Sequence, residues 1–260
     1  MLIDSHCHPN SDELRNDASA LMGRAREAGV GRMLIVGCDL ENSREAVRMA
    51  RDFASYGAFA AVGVHPHEAS QCPHDALPAG LLELAGDGRV VAVGEIGLDY
   101  HYDFSPRDVQ RRVFETQLDW AARGNRPVVL HIREAMLDAL SILRGFAGRG
   151  LRLLFHCYSG GLEYLDEVLG MGGFCALGGA VTWKNSVELR EVASRIPEDR
   201  LLLETDCPYM TPAPFRGRPN EPAYVRFVYE AVARARGVSV GELEAQVERN
   251  AASFFGWGEV

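Results

Sequence analysis

Lysine is almost missing. Of 27 basic residues only Lys184 is a lysine, and 36 acidic residues outnumber them to leave a formal charge of −9. A broad basic surface for a polyanion is therefore excluded, and any contact with nucleic acid has to be local. The six cysteines (Cys7, Cys38, Cys72, Cys157, Cys175, Cys207) form no C-x-x-C pair, and no secretory leader precedes the polar residues that begin at Asp4. A reducing cytoplasm is the expected location. Long apolar runs are also lacking. The longest stretch free of polar and charged residues, Val168 to Val181, has 14 residues and five glycines, short of the roughly 18 that a membrane span needs. Gly160-Gly161 and Gly178-Gly179 lack the spacing of a nucleotide-binding loop, and no G-x-S-x-G elbow occurs. Membrane insertion, Walker or dinucleotide cradles and a serine nucleophile are thus set aside, which leaves hydrolysis by activated water.

What is present is an average globular composition, 47% apolar and 24% charged, which excludes disorder and coiled coil. Eight short apolar runs recur roughly every 30 residues, the spacing of βα units. They are Met1 to Ser5, Arg32 to Gly37, Ala58 to Val64, Val90 to Ile96, Pro127 to Ile132, Arg152 to Phe155, Gly173 to Leu177 and Arg200 to Thr205. Helix signals lie between them: Ser105-Pro106 as N-cap and first helical residue with Gly124 at the far end, and Ser239 with Glu242 as a capping box before Leu243 to Phe255. No linker or low-complexity tract divides the chain, and Pro208 to Pro222 reads as a long loop. The expectation is one α/β domain over 1–260, a (β/α)₈ TIM-like barrel, with a doubly wound open sheet as the rival.

Polar residues gather at the C-terminal ends of these runs. His6-Cys7-His8 ends the first, Glu95 the fourth, His131 the fifth, His156 the sixth and Asp206 the eighth. In a closed barrel those ends share the face that carries active sites, so five segments deliver four imidazoles and two carboxylates to one place. Strand alternation sends His6 and His8 to one side and Cys7 to the other. A lone histidine is more often a surface or hydrogen-bonded core residue, but this set suits a divalent cation. Six ligands exceed one tetrahedral ion, and a carboxylate between two histidine groups bridges two ions about 3.5 to 4 Å apart. Some related barrels use a carboxylated lysine there. Lys184 follows the seventh run, however, so Glu95 is the expected bridge, and Asp206 is expected to orient the water and take its proton.

The remaining candidates admit two readings each. His65, in Gly63-Val64-His65-Pro66-His67, ends the third run and either contacts an oxyanion or is structural. His67 is expected in a loop or first turn, and His74 and His101 in polar loops without a chemical role. Cys7, Cys157 and Cys207 neighbour ligands, but alternation points them away as small buried hydrophobes. Arg133 either reaches an anionic substrate at the mouth or pairs with Glu134 or Asp138. Arg216 and Arg218 either join it or stay solvated.

Leu2 to His8, Gly63 to His67, Gly94 to Tyr100, Pro127 to Arg133, Phe155 to Gly160, Glu204-Thr205-Asp206 and Arg216 to Val225 together resemble the TatD family of metal-dependent deoxyribonucleases, within the amidohydrolase-like barrels. The resemblance spans nearly the whole chain. It implies a TIM-like barrel and a two-ion site using magnesium or manganese, with zinc also within range. It also implies 3′ to 5′ exonuclease cleavage of DNA, at single-stranded ends. His6, His8, Glu95, His131, His156 and Asp206 match the family's metal positions, and Glu204 and His65 fall where residues near the metals or the substrate phosphate are expected. Pro9 and Cys207 depart from the family pattern beside ligands, which bears on fine geometry and metal preference. Two other functions use the same residues: an amidohydrolase-type enzyme acting on a small amide, ester or lactone, or on aminoacyl-tRNA; and a barrel kept as a binding module.

Overall fold

Strands covered on both faces read as near-continuous apolar runs, and the eight runs fold accordingly. They form β1 (Leu2–Cys7), β2 (Val30–Val36), β3 (Ala58–Val62), β4 (Val90–Asp99), β5 (Val128–Arg133), β6 (Leu153–Phe155), β7 (Phe174–Leu177) and β8 (Leu201–Leu203). The structure, a computed structural model, describes residues 1–72 and 76–257; His74 lies outside them. All eight strands belong to one parallel sheet in sequential order.

The two ends of the sheet meet. His8 N–H donates to Cys207 O at 2.8 Å and Asp206 N–H to His6 O at 2.9 Å. Below them the buried Asp4 carboxylate accepts from Thr205 N at 2.9 Å and Thr205 Oγ1 at 2.6 Å. Sequential order and this closure exclude the doubly wound alternative, whose strand order reverses at a switch point.

Helices α1 (Ala18–Glu27), α2 (Leu40–Asp52), α3 (Ala79–Leu84), α4 (Arg107–Arg123), α5 (Met136–Arg144), α6 (Leu165–Gly170) and α7 (Val187–Arg195) lie between successive strands, and α8 (Val225–Arg236) and α9 (Val240–Phe255) follow β8. The capping box at Ser239 and Glu242 forms as expected. The N-cap expected at Ser105 does not: Pro106 is the cap of α4 and gives no side-chain bond. Ser105 Oγ instead donates to His67 O at 2.8 Å and accepts from Ser70 N at 3.0 Å, so its hydroxyl pins the 3-10 turn Pro66–Gln71. Tyr229, fully buried on α8, bonds the backbone of Ile3 on β1 in both directions, which satisfies its hydroxyl inside the core. Gly97 on β4 has φ +149°, and a Cβ there would lie 1.9 Å from His131 O. Only glycine lets β4 approach the end of β5 this closely. Among the described residues no helix is long and apolar enough to cross a membrane.

Candidate metal centre

β1 and its continuation supply His6 and His8, whose Nε2 atoms lie 2.9 Å apart. Cys7 between them turns outward, its thiol donating to Leu34 O at 3.2 Å, as strand alternation requires. β4 supplies Glu95, which stands at the centre of the cluster. Its Oε2 is 3.5 Å from the Nε2 of both His6 and His8. Its Oε1 is 2.7 Å from His131 Nδ1 and 2.8 Å from His156 Nε2. Asp206 closes the cluster, Oδ1 lying 3.7 and 3.6 Å from the same two β1 nitrogens. All six residues expected as metal ligands converge.

Three overlapping groups hold one ligand atom from each member within 4.8 Å of the others: His6, His156 and Asp206; His6, His8 and Glu95; His65, Glu95 and His131. The donor chemistry fits divalent cations, because the outer hydrogen bonds fix the imidazole tautomers. His8 Nδ1–H donates to Val36 O at 3.0 Å, and His156 Nδ1–H to Glu204 Oε1 at 3.3 Å. In the neutral ring each then leaves an Nε2 lone pair facing inward. His131 is reversed: Nε2–H donates to Asp99 Oδ2 at 3.0 Å, so Nδ1 is its inward atom. His65 differs. Its Nδ1 accepts from His67 N–H at 3.1 Å, so in the neutral ring Nε2 carries the proton that points towards Glu95 Oε1, 3.7 Å away. That makes His65 a hydrogen-bond donor to the site rather than a natural ligand.

Burial and mutual charge divide the titrations. Burial pushes the buried imidazoles of His6, His8 and His65 down. It opposes charge on His156 and His131 too, but Glu95 and Glu204 around the first, and Asp99 and Glu95 around the second, carry both upward. Burial alone would raise Glu95; the imidazoles of His156, His6 and His65 outweigh it and hold the carboxyl well below its usual range. Asp206 lacks enough of that compensation, and burial pushes it up to about 7.

Glu204 lies behind His156 with no exposed surface, its Oε1 also accepting Cys157 N–H at 2.6 Å. Arg133 is exposed, and neither proposed acidic partner takes it. Glu134 pairs with His101 at 2.7 Å, Asp138 accepts from Tyr100 and Arg111, and the guanidinium sits 4.7 Å over the Tyr102 ring. Arg216 stacks over Trp183 at 4.4 Å, while Arg218 remains exposed. Cys7 and Cys207 are buried, but Cys157 is not: it is partly exposed with φ +42° and borders a cavity of about 200 Å³ with Leu177, Gly178 and Met210. Its backbone turns out of strand geometry just past β6, so alternation does not govern it.

Two residues gain importance over the sequence reading. Asp99 ends β4, three residues beyond the run read from sequence, and His67, expected in a loop or first turn and standing in the first turn of Pro66–Gln71, donates from Nε2 to the same Asp99 Oδ2 at 2.9 Å. The signal for both was chemical: an aspartate and a histidine lie within four residues of proposed site residues, Asp99 after Glu95 and His67 after His65.

The family model described as TatD related DNase matches residues 3–256. The uncharacterized metal-dependent hydrolase YabD of Bacillus subtilis is 38% identical over 255 residues, covering 98% of this chain and 99% of that one. The 3′-5′ ssDNA/RNA exonuclease TatD of Klebsiella pneumoniae is 36% identical over 260 residues, covering 98% of each. The crystal structure of YjjV, a TatD homologue from Escherichia coli K12, aligns with a TM-score of 0.87 at 28% identity over 99% of this chain and 98% of that one. Matched along almost its entire length by that model and by these relatives, the chain belongs to the TatD-related DNase family and is a metal-dependent hydrolase.

Proposed function

We propose that the chain removes nucleotides stepwise from the 3′ end of single-stranded DNA, using two divalent ions, magnesium or manganese, held by His6, His8, Glu95, His131, His156 and Asp206. The observation that carries this reading is the division of Glu95: one oxygen faces the β1 imidazoles, the other the imidazoles of β5 and β6. A carboxylate so placed can serve two ions at once. Bound there, divalent cations supply Lewis acidity and lower the pKa of a coordinated water.

The chain's own groups perform the rest. Asp206, whose Oδ1 closes the cluster beside the β1 imidazoles, orients the attacking water and accepts its proton. His65 presents Nε2–H to a non-bridging phosphate oxygen, and Arg133 at the rim meets a neighbouring phosphate. Glu204 positions His156 through Nδ1, and Asp99 positions His131 through Nε2. Six cysteines outside any disulfide accord with a reducing cytoplasm.

A 5′-labelled single-stranded oligonucleotide tests the proposal. It shortens in single-nucleotide steps with Mg²⁺ or Mn²⁺ and stops on chelation, and Glu95→Ala abolishes both turnover and metal loading while the fold persists. Inertness towards DNA together with turnover of an ester, lactone or aminoacyl-tRNA replaces the nuclease reading; full activity of the variant rejects the bridge.

A further inference from the structure

Among the described residues eight large apolar side chains are exposed, and three are aromatic: Tyr102 (48% exposed), Phe104 (68%) and Tyr209 (60%). Scattered exposed apolar residues need no explanation. Here Tyr209 faces a ligand ring directly, and Tyr102 and Phe104 reach the cluster through His67. Tyr209 approaches the His8 ring at 6.4 Å. Tyr102 and Phe104 stack on each other, centroids 5.3 Å apart and planes 22° apart, and both meet the His67 ring edge-on at 5.5 and 4.7 Å. His67 lies 6.2 Å from His131, so Phe104 stands two ring-to-ring steps from a ligand, the span of a nucleotide or two.

The pair is held ready. Asp99 Oδ1 accepts the backbone N–H of His101 and Tyr102, and Gln110 ties Asp99 O to Ser105 O through its amide. Arg133 lies over the Tyr102 ring and has no carboxylate partner among the described residues.

We propose that Tyr102 and Phe104, with Arg133 on the Tyr102 ring, form a stacking platform for one unpaired nucleobase beside the scissile phosphate. The proposal rests on the nuclease reading above and gives it a physical source of single-strand preference. An unpaired base offers a free π-face, which an aromatic side chain covers without regard to sequence; in a duplex the internal bases are stacked on both faces, and even the terminal base is held in its pair. The edge of the Arg133 guanidinium keeps donors for the adjoining phosphate, which localises positive charge on a molecule whose total is negative. Because the loop is already ordered, little conformational freedom is lost when the base docks.

The test compares oligothymidylate with the same strand carrying a tetrahydrofuran abasic residue on either side of the 3′-terminal linkage. For the unaltered protein, removing the stacked base lowers kcat/KM on the order of ten- to a hundred-fold. Tyr102→Leu/Phe104→Leu loses a similar factor on the intact strand and barely distinguishes intact from abasic, and Phe104→Trp retains the discrimination. Phe104→Leu alone, at the most exposed position, gives a partial loss of discrimination and guards against misfolding of the double variant. A double variant that discriminates as well as the unaltered protein overturns the platform and leaves the nuclease reading standing. An unaltered protein that degrades neither strand overturns the nuclease reading, and the platform with it.

Discussion

His131 is held between two carboxylates, and Glu95 shares the inward side of the ring while Asp99 takes the outward N–H. Asp99 therefore fixes which nitrogen faces a cation and strengthens it as a donor. Asp99→Asn keeps the shape but removes the charge, and affinity for Mn²⁺ is expected to fall about 10- to 100-fold; titration of metal-stripped protein checks this, and unchanged affinity rejects the positioning role. A pH dependence follows from the same neighbourhood. In metal-free protein Asp206 is raised to about 7 and His131 and His156 are raised, so these three hold their protons to higher pH than usual, whereas burial shifts His6 and His8 towards the neutral form. A cation has to displace the former protons, so apparent affinity rises with pH through neutrality. Calorimetric titration in buffers of different ionisation heat should find more protons released at pH 6 than at pH 9; no release at pH 6 contradicts the assignment.

The capping box of α9 and the glycine of β4 test two elements differently. Ser239→Ala removes the hydroxyl that accepts from Glu242 N and costs about 1 kcal/mol, a fall in Tm of about 2–4 °C, with activity per folded molecule unchanged. Gly97→Ala puts a methyl where His131 O already stands; β4 and β5 must part, so metal loading falls along with stability, and a variant with normal loading refutes the close-approach argument. These elements also show where sequence was legible. Buried parallel strands need apolar side chains on both faces, which is why all eight runs stood out and their polar ends located His6, Glu95, His131, His156 and Asp206. β4 runs on to Asp99 because Gly97 lets it follow β5 past the apolar stretch, and no period marks that continuation. Ser105 carries the residue types of an N-cap, but its hydroxyl is taken by the turn at His67, a contact 38 residues away that no local pattern encodes. Cys157 misled for a similar reason: alternation stops where Glu204 takes its backbone N–H.

Across the whole molecule the charge is −9, and most arginines on the helices pair with nearby acids, as Arg48 does with Glu45 and Asp52, and Arg107 with Asp103. Such exposed pairs add little stability, but they occupy many of the helix cations that a strand could meet. At the mouth stand Arg133, the donor face of His65 and whatever cations the six ligands hold. Binding of single-stranded DNA is thus expected to be weak and salt-sensitive, through few contacts. With one or two phosphates met by protein cations, and about 0.7 counterions released per contact on single strands, log K should fall with log salt at a slope of roughly −0.7 to −1.4. Fluorescence anisotropy of a labelled oligonucleotide on catalytically silent Glu95→Ala protein, between 50 and 300 mM salt, measures it. A slope near −5 would mean a long basic track that the surface charge does not provide, and the strand would then run elsewhere than past Tyr102 and Phe104.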